Sequence, residues 1–306
     1  MFQKQPIMRR VLYSLAPIFL FSVYLYGWRP VAILAVSLVV GVLTEYLFER
    51  GRGKKPSEAV LVTCALYALS MPPLVPLWIV AVGILFAVFM AKEVYGGFGR
   101  NVFNPAIAGR LFVYISFPTT MQAGFLTAGA FGIGADAVSA ATPLALMRAG
   151  DTTPIADLLL GLRSGSIGEG SILLIVLAAI YLLATKTASW RLMLSAIVSG
   201  VLLTLALLAA GVAKALPAES LLSGSFLFVA VFMVTDPVSA PKKPRAQFAY
   251  GIVIGVCTVL VRTFSLFPEG TSFGVLIGNT AASLLDEILG KAKPKAKAAA
   301  DKGGAA

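Results

Sequence analysis

Three groups of residues in this sequence have the types and spacing to do chemistry. The first is Asp136-Ala137-Val138-Ser139-Ala140-Ala141-Thr142-Pro143-Leu144. It offers one carboxylate and two hydroxyls in a turn of small residues. Pro143 pushes Thr142 towards an extended conformation, which leaves its hydroxyl accessible rather than bonded back into a helix. A plain Asx turn or helix cap accounts for the same residues, and on physical grounds alone it is the better account. The second group is Lys92-Glu93-Val94-Tyr95-Gly96-Gly97-Phe98-Gly99-Arg100-Asn101-Val102-Phe103-Asn104-Pro105-Ala106, followed by Gly109-Arg110. Gly96 and Gly97 let backbone approach a ligand closely. Asn101 and Asn104 add amide donors and acceptors, and Pro105 can start a helix whose positive end faces the site. No Gly-Lys-Ser/Thr follows, so this is not a nucleotide-binding loop of the Walker type. It has the form of an unwound stretch before a transporter half-helix, and an ordinary glycine-rich loop explains it as well.

The third group is the ionisable residues within or beside apolar runs: Glu45, Glu93, Arg110, Asp236, Arg262 and Asp286. Each is costly if it faces lipid, so a partner or a water path is expected. Snorkelling at the end of a span accounts for Glu45, Glu93 and Arg262. Asp236 sits between an interrupted span and a proline and leads the candidates for an ion or proton path, with Glu93 and Asp286 beside it.

Other chemistries lack their residues. There is no histidine, which removes the usual haem ligand, proton switch and catalytic base. The two cysteines, Cys64 and Cys257, lie in apolar runs without a CxxC pair, so no metal site is expected. Any redox work falls to an organic cofactor.

What must position these residues is a membrane bundle. The 306 residues are 58% hydrophobic and 13% charged, with a mean hydropathy of +0.88. A soluble chain carries about 25% charged residues. Apolar runs near the roughly 20 residues that cross a bilayer recur along the chain. Their spacing predicts ten spans, over 11–27, 31–48, 58–71, 74–91, 102–117, 171–185, 191–211, 223–234, 246–263 and 271–289.

With both termini in the cytoplasm, most of the 25 lysines and arginines fall on inner segments, around Arg9, Arg50–Lys55, Lys92–Arg100, Lys186–Arg191, Lys242–Arg245 and the tail from Lys291. That is the side on which such residues concentrate. Arg29, Arg148, Arg163, Lys214 and Arg262 fall outside. The net charge of +11 then belongs to loops beside spans, and nucleic-acid binding is not expected.

The fold class that follows is an all-α polytopic protein of the prokaryotic inner membrane. Two places interrupt the pattern in corresponding positions, Met71-Pro72-Pro73-Leu74-Val75-Pro76 and Thr235-Asp236-Pro237-Val238-Ser239-Ala240-Pro241. Five spans precede the long outer segment and five follow it. Because five is odd, the halves run in opposite senses, and paired broken spans point to a binding site at mid-membrane. Prolines ending helices at the surface is the alternative. The expected organisation is 1–117, a five-helix repeat; 118–170, an extracytoplasmic loop; 171–290, a second repeat; and 291–306, a disordered basic tail.

These residues resemble the family formed by the D subunit of Rnf complexes and the B subunit of Nqr complexes, over roughly 9–289. The carriers are Met71-Pro72-Pro73, Ala91-Lys92-Glu93-Val94-Tyr95-Gly96-Gly97, Gly99-Arg100-Asn101, Phe103-Asn104-Pro105-Ala106, Gly165-Ser166-Ile167-Gly168-Glu169, Thr235-Asp236-Pro237-Val238-Ser239-Ala240 and Pro268-Glu269-Gly270. The resemblance implies a membrane component of an ion-translocating ferredoxin:NAD or NADH:quinone oxidoreductase, moving Na⁺ or H⁺ with other subunits. It implies ten helices in two inverted five-helix repeats, similar to urea and ammonium channels.

It also implies that Asp136, Ser139, Ala141 and Thr142 match the motif at which a flavin transferase links FMN, through its phosphate, to the last threonine. Ala140 stands where many members of the Nqr branch have glycine. A second, non-covalent riboflavin is implied, with Gly96, Gly97, Asn101, Asn104 and Arg110 as flavin- or quinone-side residues. The short stretch before the first span favours the Rnf branch. The Lys92-to-Asn104 and Ala188-Ser189-Trp190-Arg191 blocks look like the Nqr branch. A urea- or ammonium-type channel without redox chemistry is the competing class.

Overall fold

The computed structural model describes residues 2–126, 141–149, 153–212, 216–265 and 269–290. Asp136, Ser139, Ala140, Pro268 and the basic tail lie outside these residues. Among the described residues every regular element is helical, and the one bridge is Gln3 with Ser57. The long helices are α1 (Pro6–Tyr26), α2 (Arg29–Gly51), α10 (Trp190–Ala209), α13 (Pro244–Phe264) and α14 (Thr271–Gly290). Shorter ones are α3 (Ala59–Leu69), α4 (Leu77–Val88), α5 (Pro105–Ser116), α9 (Ile172–Ala184) and α12 (Phe226–Phe232). A π-helical turn, Phe89–Glu93, extends α4.

Each of the ten expected apolar segments coincides with one of these helices. Four of them, α1, α2, α10 and α13, are long and apolar enough to cross a bilayer. Sequence periodicity misses four short helices between them: α6 (Pro118–Ala123), α7 (Pro143–Ala149), α8 (Ile155–Leu160) and α11 (Pro217–Leu222). Proline opens many of these elements, including α1, α5, α6 and α13. At a helix start its missing N–H costs nothing and its fixed φ is already helical.

The packing order follows from which helices are apolar all round. Helix α3 buries nine of its eleven residues, and α12 buries six of seven. A helix with no polar face belongs inside. These two short helices are the innermost, and the longer helices surround them. Leu20, Val39, Leu177 and Leu202 on the outer faces of α1, α2, α9 and α10 are more than half exposed, which is the surface that lipid covers. Trp28, Trp78 and Trp190 are exposed near helix starts, the positions of an interfacial aromatic belt. Helices α10 and α13 meet through small residues. A Cβ on Gly251 would come within 2.9 Å of the Ala196 amide nitrogen and the Leu192 carbonyl. Only glycine lets these backbones approach so closely.

The first interruption is buried, so Pro72 and Pro73 do not merely end a helix at a surface; in the second, Pro237 is exposed and Asp236 and Val238 are half-buried, while Ser239, Ala240 and Pro241 are buried. Ser70, Met71 and Val75 are at most 1% exposed, and Met233 and Val234 are fully buried. Proline removes donors and breaks the ladder, so other parts of the chain supply the partners that buried backbone needs. Arg29 donates to the carbonyls of Pro73 (3.2 Å) and Val75 (2.9 Å). The Ile167 amide donates to Met71 O at 3.0 Å.

That last contact corrects the expectation of an exposed loop over 118–170. Its later part tucks into the core, with Ser166, Ile167 and Glu169 buried and a capping box at Ser166–Glu169. The capping box closes a turn that fits between helices, so the segment gains more from packing than from solvation.

Candidate functional site

Three polar clusters interrupt the apolar interior. The first surrounds the start of α5. Asn104 caps this helix, its side-chain oxygen accepting from the Ile107 amide at 3.3 Å. Its own amide donates to Asn279 Oδ1 of α14 at 3.0 Å, and its Nδ2 reaches Asp236 Oδ2 at 3.4 Å. Asp236 also accepts from the Ser239 hydroxyl (2.8 Å) and the Val238 amide (3.1 Å). Asn279 donates to Tyr250 Oη at 2.7 Å. The glycine-rich stretch and the second interruption therefore meet at the start of α5: Asn104 follows the first, and Asp236 lies in the second.

A cavity of about 60 Å³ opens beside them, lined by Thr63, Lys92, Asn101, Asn104, Thr235 and Asp236 among others. A water needs about 10–15 Å³ of such space, so the cavity suits a small cation or a few waters. It is far below the several hundred Å³ of a site for a drug-sized molecule, and a tricyclic flavin does not fit it.

The second cluster lies where α1 starts and α2 ends. Lys92 is 1% exposed. Its ammonium sits 2.5 Å from Glu45 Oε2 and 3.0 Å from Ser57 Oγ. Glu45 Oε1 also accepts from the Ser57 amide and hydroxyl. Beside it Arg52 bridges Glu49 (2.9 Å) and Glu93 (2.6 Å). Against the expectation of snorkelling, Glu45 and Glu93 are each 1% exposed. They are buried because each finds a cation. Lys92, placed by the charge pattern on an inner loop, is an interior residue.

Gly97 faces this cluster. A Cβ there would strike Glu49 Oε1, and its φ of +88° is one that side chains rarely adopt. Gly96 likewise has a φ of +106° and packs against the Arg100 side chain. Gly97→Ala is accordingly expected to destabilise the fold by about 1–2 kcal/mol from backbone strain alone, and by more through the displaced carboxylate. A lowered midpoint in thermal unfolding of the detergent-purified chain checks this, and Gly53→Ala, with positive φ in open space, isolates the strain.

The third cluster lies at the opposite end, where α1 finishes and α13 ends. Arg110, in the middle of α5, donates to Glu269 Oε2 at 2.6 Å and Ser166 Oγ at 3.2 Å, with Glu169 Oε1 at 3.7 Å. The Ser225 hydroxyl holds the other Glu269 oxygen. Arg262 donates to the carbonyls of Ser220 (2.5 Å) and Ser223 (3.3 Å) and to Thr271 Oγ1 (3.2 Å). It too is buried, against the expectation of snorkelling. Arg163, between them, donates to Glu169 O at 3.2 Å. Reading the sequence by spans misses Glu169, Glu269 and Arg163 as partners. A signal exists for the two acids: each is a carboxylate beside glycine in a segment next to an apolar span.

Two expected residues stand apart from these clusters. Asp286 accepts the Lys242 and Lys243 amides at 2.8 and 2.9 Å and is half-buried at the chain entry to α13. Thr142 directly precedes α7, where its hydroxyl caps the Ala145 amide at 3.3 Å. It therefore does bond back to a helix, as the plain cap reading has it. It stays partly exposed, and a hydroxyl that accepts in this way keeps its own proton free. The Ala141 carbonyl is held by the Ser164 hydroxyl at 2.5 Å. These residues leave a partly exposed hydroxyl oxygen with a free proton, the donor atom that a flavin phosphoester would need. No group of three or more His, Cys, Asp or Glu with metal-ligand geometry occurs among the described residues.

A sequence model of the NQR2, RnfD, RnfE family matches residues 2–295. The chain is 38% identical over 281 residues to the B subunit of the Na(+)-translocating NADH-quinone reductase of Azotobacter vinelandii, an overlap that takes in 87% of this chain and 68% of that protein. The equivalent protein of Chromohalobacter salexigens is 39% identical over 268 residues, with 85% of this chain and 65% of that protein aligned. The D subunit of the ion-translocating oxidoreductase complex of Shewanella amazonensis is 32% identical over 338 residues, covering 96% of this chain and 94% of that protein. The chain thus spans about two thirds of the two reductase relatives and nearly all of the Shewanella one.

Proposed function

This chain belongs to the NQR2, RnfD, RnfE family, and from that premise we propose that it is a flavin-carrying membrane subunit of an ion-translocating electron-transport complex. In this reading it sits in the prokaryotic inner membrane with both termini in the cytoplasm. A flavin transferase links FMN to Thr142, guided by Asp136, Ser139 and Ala141. The complex is of the Rnf type, exchanging electrons between ferredoxin and NAD(H) through partner subunits. When bound, the isoalloxazine supplies the electron chemistry. The chain's part is to hold it and to couple electron flow to Na⁺ or H⁺.

The observation that carries the reading is Thr142 itself: a partly exposed hydroxyl, in the family's motif, fixed by the Ser164–Ala141 bond beside buried arginines. Mass spectrometry of the peptide containing Thr142, from cells that hold the transferase, tests it. An unmodified peptide overturns it.

The reading also takes the helices as two inverted repeats, like those of urea and ammonium channels. Neighbour relations support this. Helix α2 packs on α3 and α4, and α10 packs on α12 and α13; α4 packs on α5, and α13 on α14. In each half the fourth helix ends on a buried cation that reaches the residues before the third. Lys92 meets Ser57, and Arg262 meets Ser220 and Ser223.

The cavity at Asp236 and Asn104 then belongs to the ion path, with Glu93 and Asp286 nearer the cytoplasm. A non-covalent riboflavin at Asn101 and Asn104 requires those helices to separate, so no electron step is routed through that cavity. Asp236→Asn is expected to abolish ion uptake into proteoliposomes containing the complex while covalent flavin stays at its normal level. Unchanged uptake removes Asp236 from the path.

A second reading places this chain in a Na⁺-translocating NADH:quinone reductase, as its B subunit. The higher identity to the reductase relatives favours it, and the likeness to the Shewanella D subunit keeps the first. Ferredoxin-dependent NAD⁺ reduction by the purified complex supports the Rnf reading, and NADH:quinone activity without it supports the other. A channel with no redox role predicts a colourless protein.

A further inference from the structure

Buried arginines gather around Arg110. Arg110, Arg163 and Arg262 face Glu169 and Glu269, and all five are at most 8% exposed. Arg262 lies within electrostatic reach of the other four. Among the described residues three cations face two anions, and Arg262 has a further partner of its own.

The hydrogen-bond donors of two of these arginines do not balance. Nε and Nη1 of both Arg110 and Arg163 are buried without a hydrogen-bond partner. Guanidinium forks of this kind match the oxygens of carboxylate and phosphate. Glu169 and Glu269 already occupy the carboxylate places.

We propose that this cluster is a binding site for one phosphate monoanion, and that its occupant is the phosphodiester joining FMN to Thr142. The inference rests on the flavin reading above and extends it to the residues that hold the group. A phosphodiester carries a single negative charge at working pH and offers the acceptor oxygens that the Arg110 and Arg163 forks lack. The chain brings Thr142 to this place from both sides. Ala141 is bonded to Ser164, the neighbour of Arg163. Leu144 packs onto Gly224, where Arg262 Nη2 also lies within 3.3 Å of a built Cβ. Residues on either side of Thr142 thus touch the segments that carry or contact two of the three arginines. Fixing the phosphate fixes the near end of the flavin while the ring remains free to meet a redox partner.

Phosphorus NMR of the full chain, purified from cells containing the transferase, tests the assignment. The difference between wild type and Thr142→Val isolates the phosphodiester resonance. Its expected position differs from that in denatured protein, and it stays sharp at Mn²⁺ concentrations that erase the denatured signal. In Arg163→Gln the resonance returns towards the denatured position and becomes sensitive to Mn²⁺, while in-gel flavin fluorescence is retained. Arg163→Lys keeps the charge without the fork and gives an intermediate shift.

A wild-type phosphodiester as sensitive to Mn²⁺ as in denatured protein overturns the proposal, and this result needs no variant to fold. So does a resonance unchanged by both Arg163 substitutions. A Thr142 peptide without flavin overturns the parent reading and this one together, whereas a flavinylated peptide with an exposed phosphate overturns this one alone.

Discussion

Thr142→Ala is expected to remove the covalent flavin completely, with no flavin fluorescence in the denatured band, whereas Thr142→Ser retains it. The phosphoester needs an oxygen nucleophile at this position, and alanine offers none. The fold has little at stake. Thr142 makes one side-chain bond, to the Ala145 amide, at the start of the seven-residue α7. Losing such a cap costs about 0.5–2 kcal/mol, and the cost stays local to a helix this short. Serine keeps both the cap and the nucleophile. The pair therefore separates a chemical role from a structural one. A fluorescent band persisting in Thr142→Ala, with unchanged intensity, places the flavin elsewhere and removes the main support for the proposed function.

How far the sequence alone reaches depends on the range of each interaction. Apolar runs report burial continuously, so every expected span contains a helix. Proline clusters report a broken ladder locally, so both interruptions are legible. Neither signal carries partners across distance. Lys92 and Glu45 are 47 positions apart, and each alone resembles a charge at the end of a span. Only the π-helical turn that carries Lys92 inward, and the return of the chain at Ser57, bring them together. The same holds for Arg110, whose partners Glu169 and Glu269 lie far along the chain. The segment after α8 is hidden for another reason. Gly, Ser and Ile without periodicity look like a surface loop, but the capping box lets that turn satisfy itself and enter the core. Asp286 misleads in the opposite sense: a carboxylate at the end of an apolar run, it closes the chain entry to α13 at a half-exposed position.

Lys92→Met is expected to destabilise the protein by about 3–5 kcal/mol, the usual cost of leaving one charge of a buried pair without its partner. The Lys92 ammonium is the only cation bonded to Glu45 among the described residues, and both side chains are at most 2% exposed. Methionine matches the length of the lysine stem, so the loss arises from the charge and not from a void.

A second substitution turns this into a sharper test. In Lys92→Met with Glu45→Gln both charges are gone, and the Gln oxygen still accepts from the Ser57 amide and hydroxyl. Replacing both members of a buried pair is often close to neutral, so the double variant should recover most of the unfolding midpoint lost by the single one. Scanning fluorimetry of the two variants and wild type in the same detergent measures this. If the double variant is as unstable as Lys92→Met, the cost lies in packing around the π-helical turn and the charge pair is not what holds this end of the bundle. If it recovers, the pair is a matched set of buried charges joining α2, the entry to α3 and the end of α4. Its cation, Lys92, also lines the cavity beside Asp236, so the pair fixes the position of a charge on that wall.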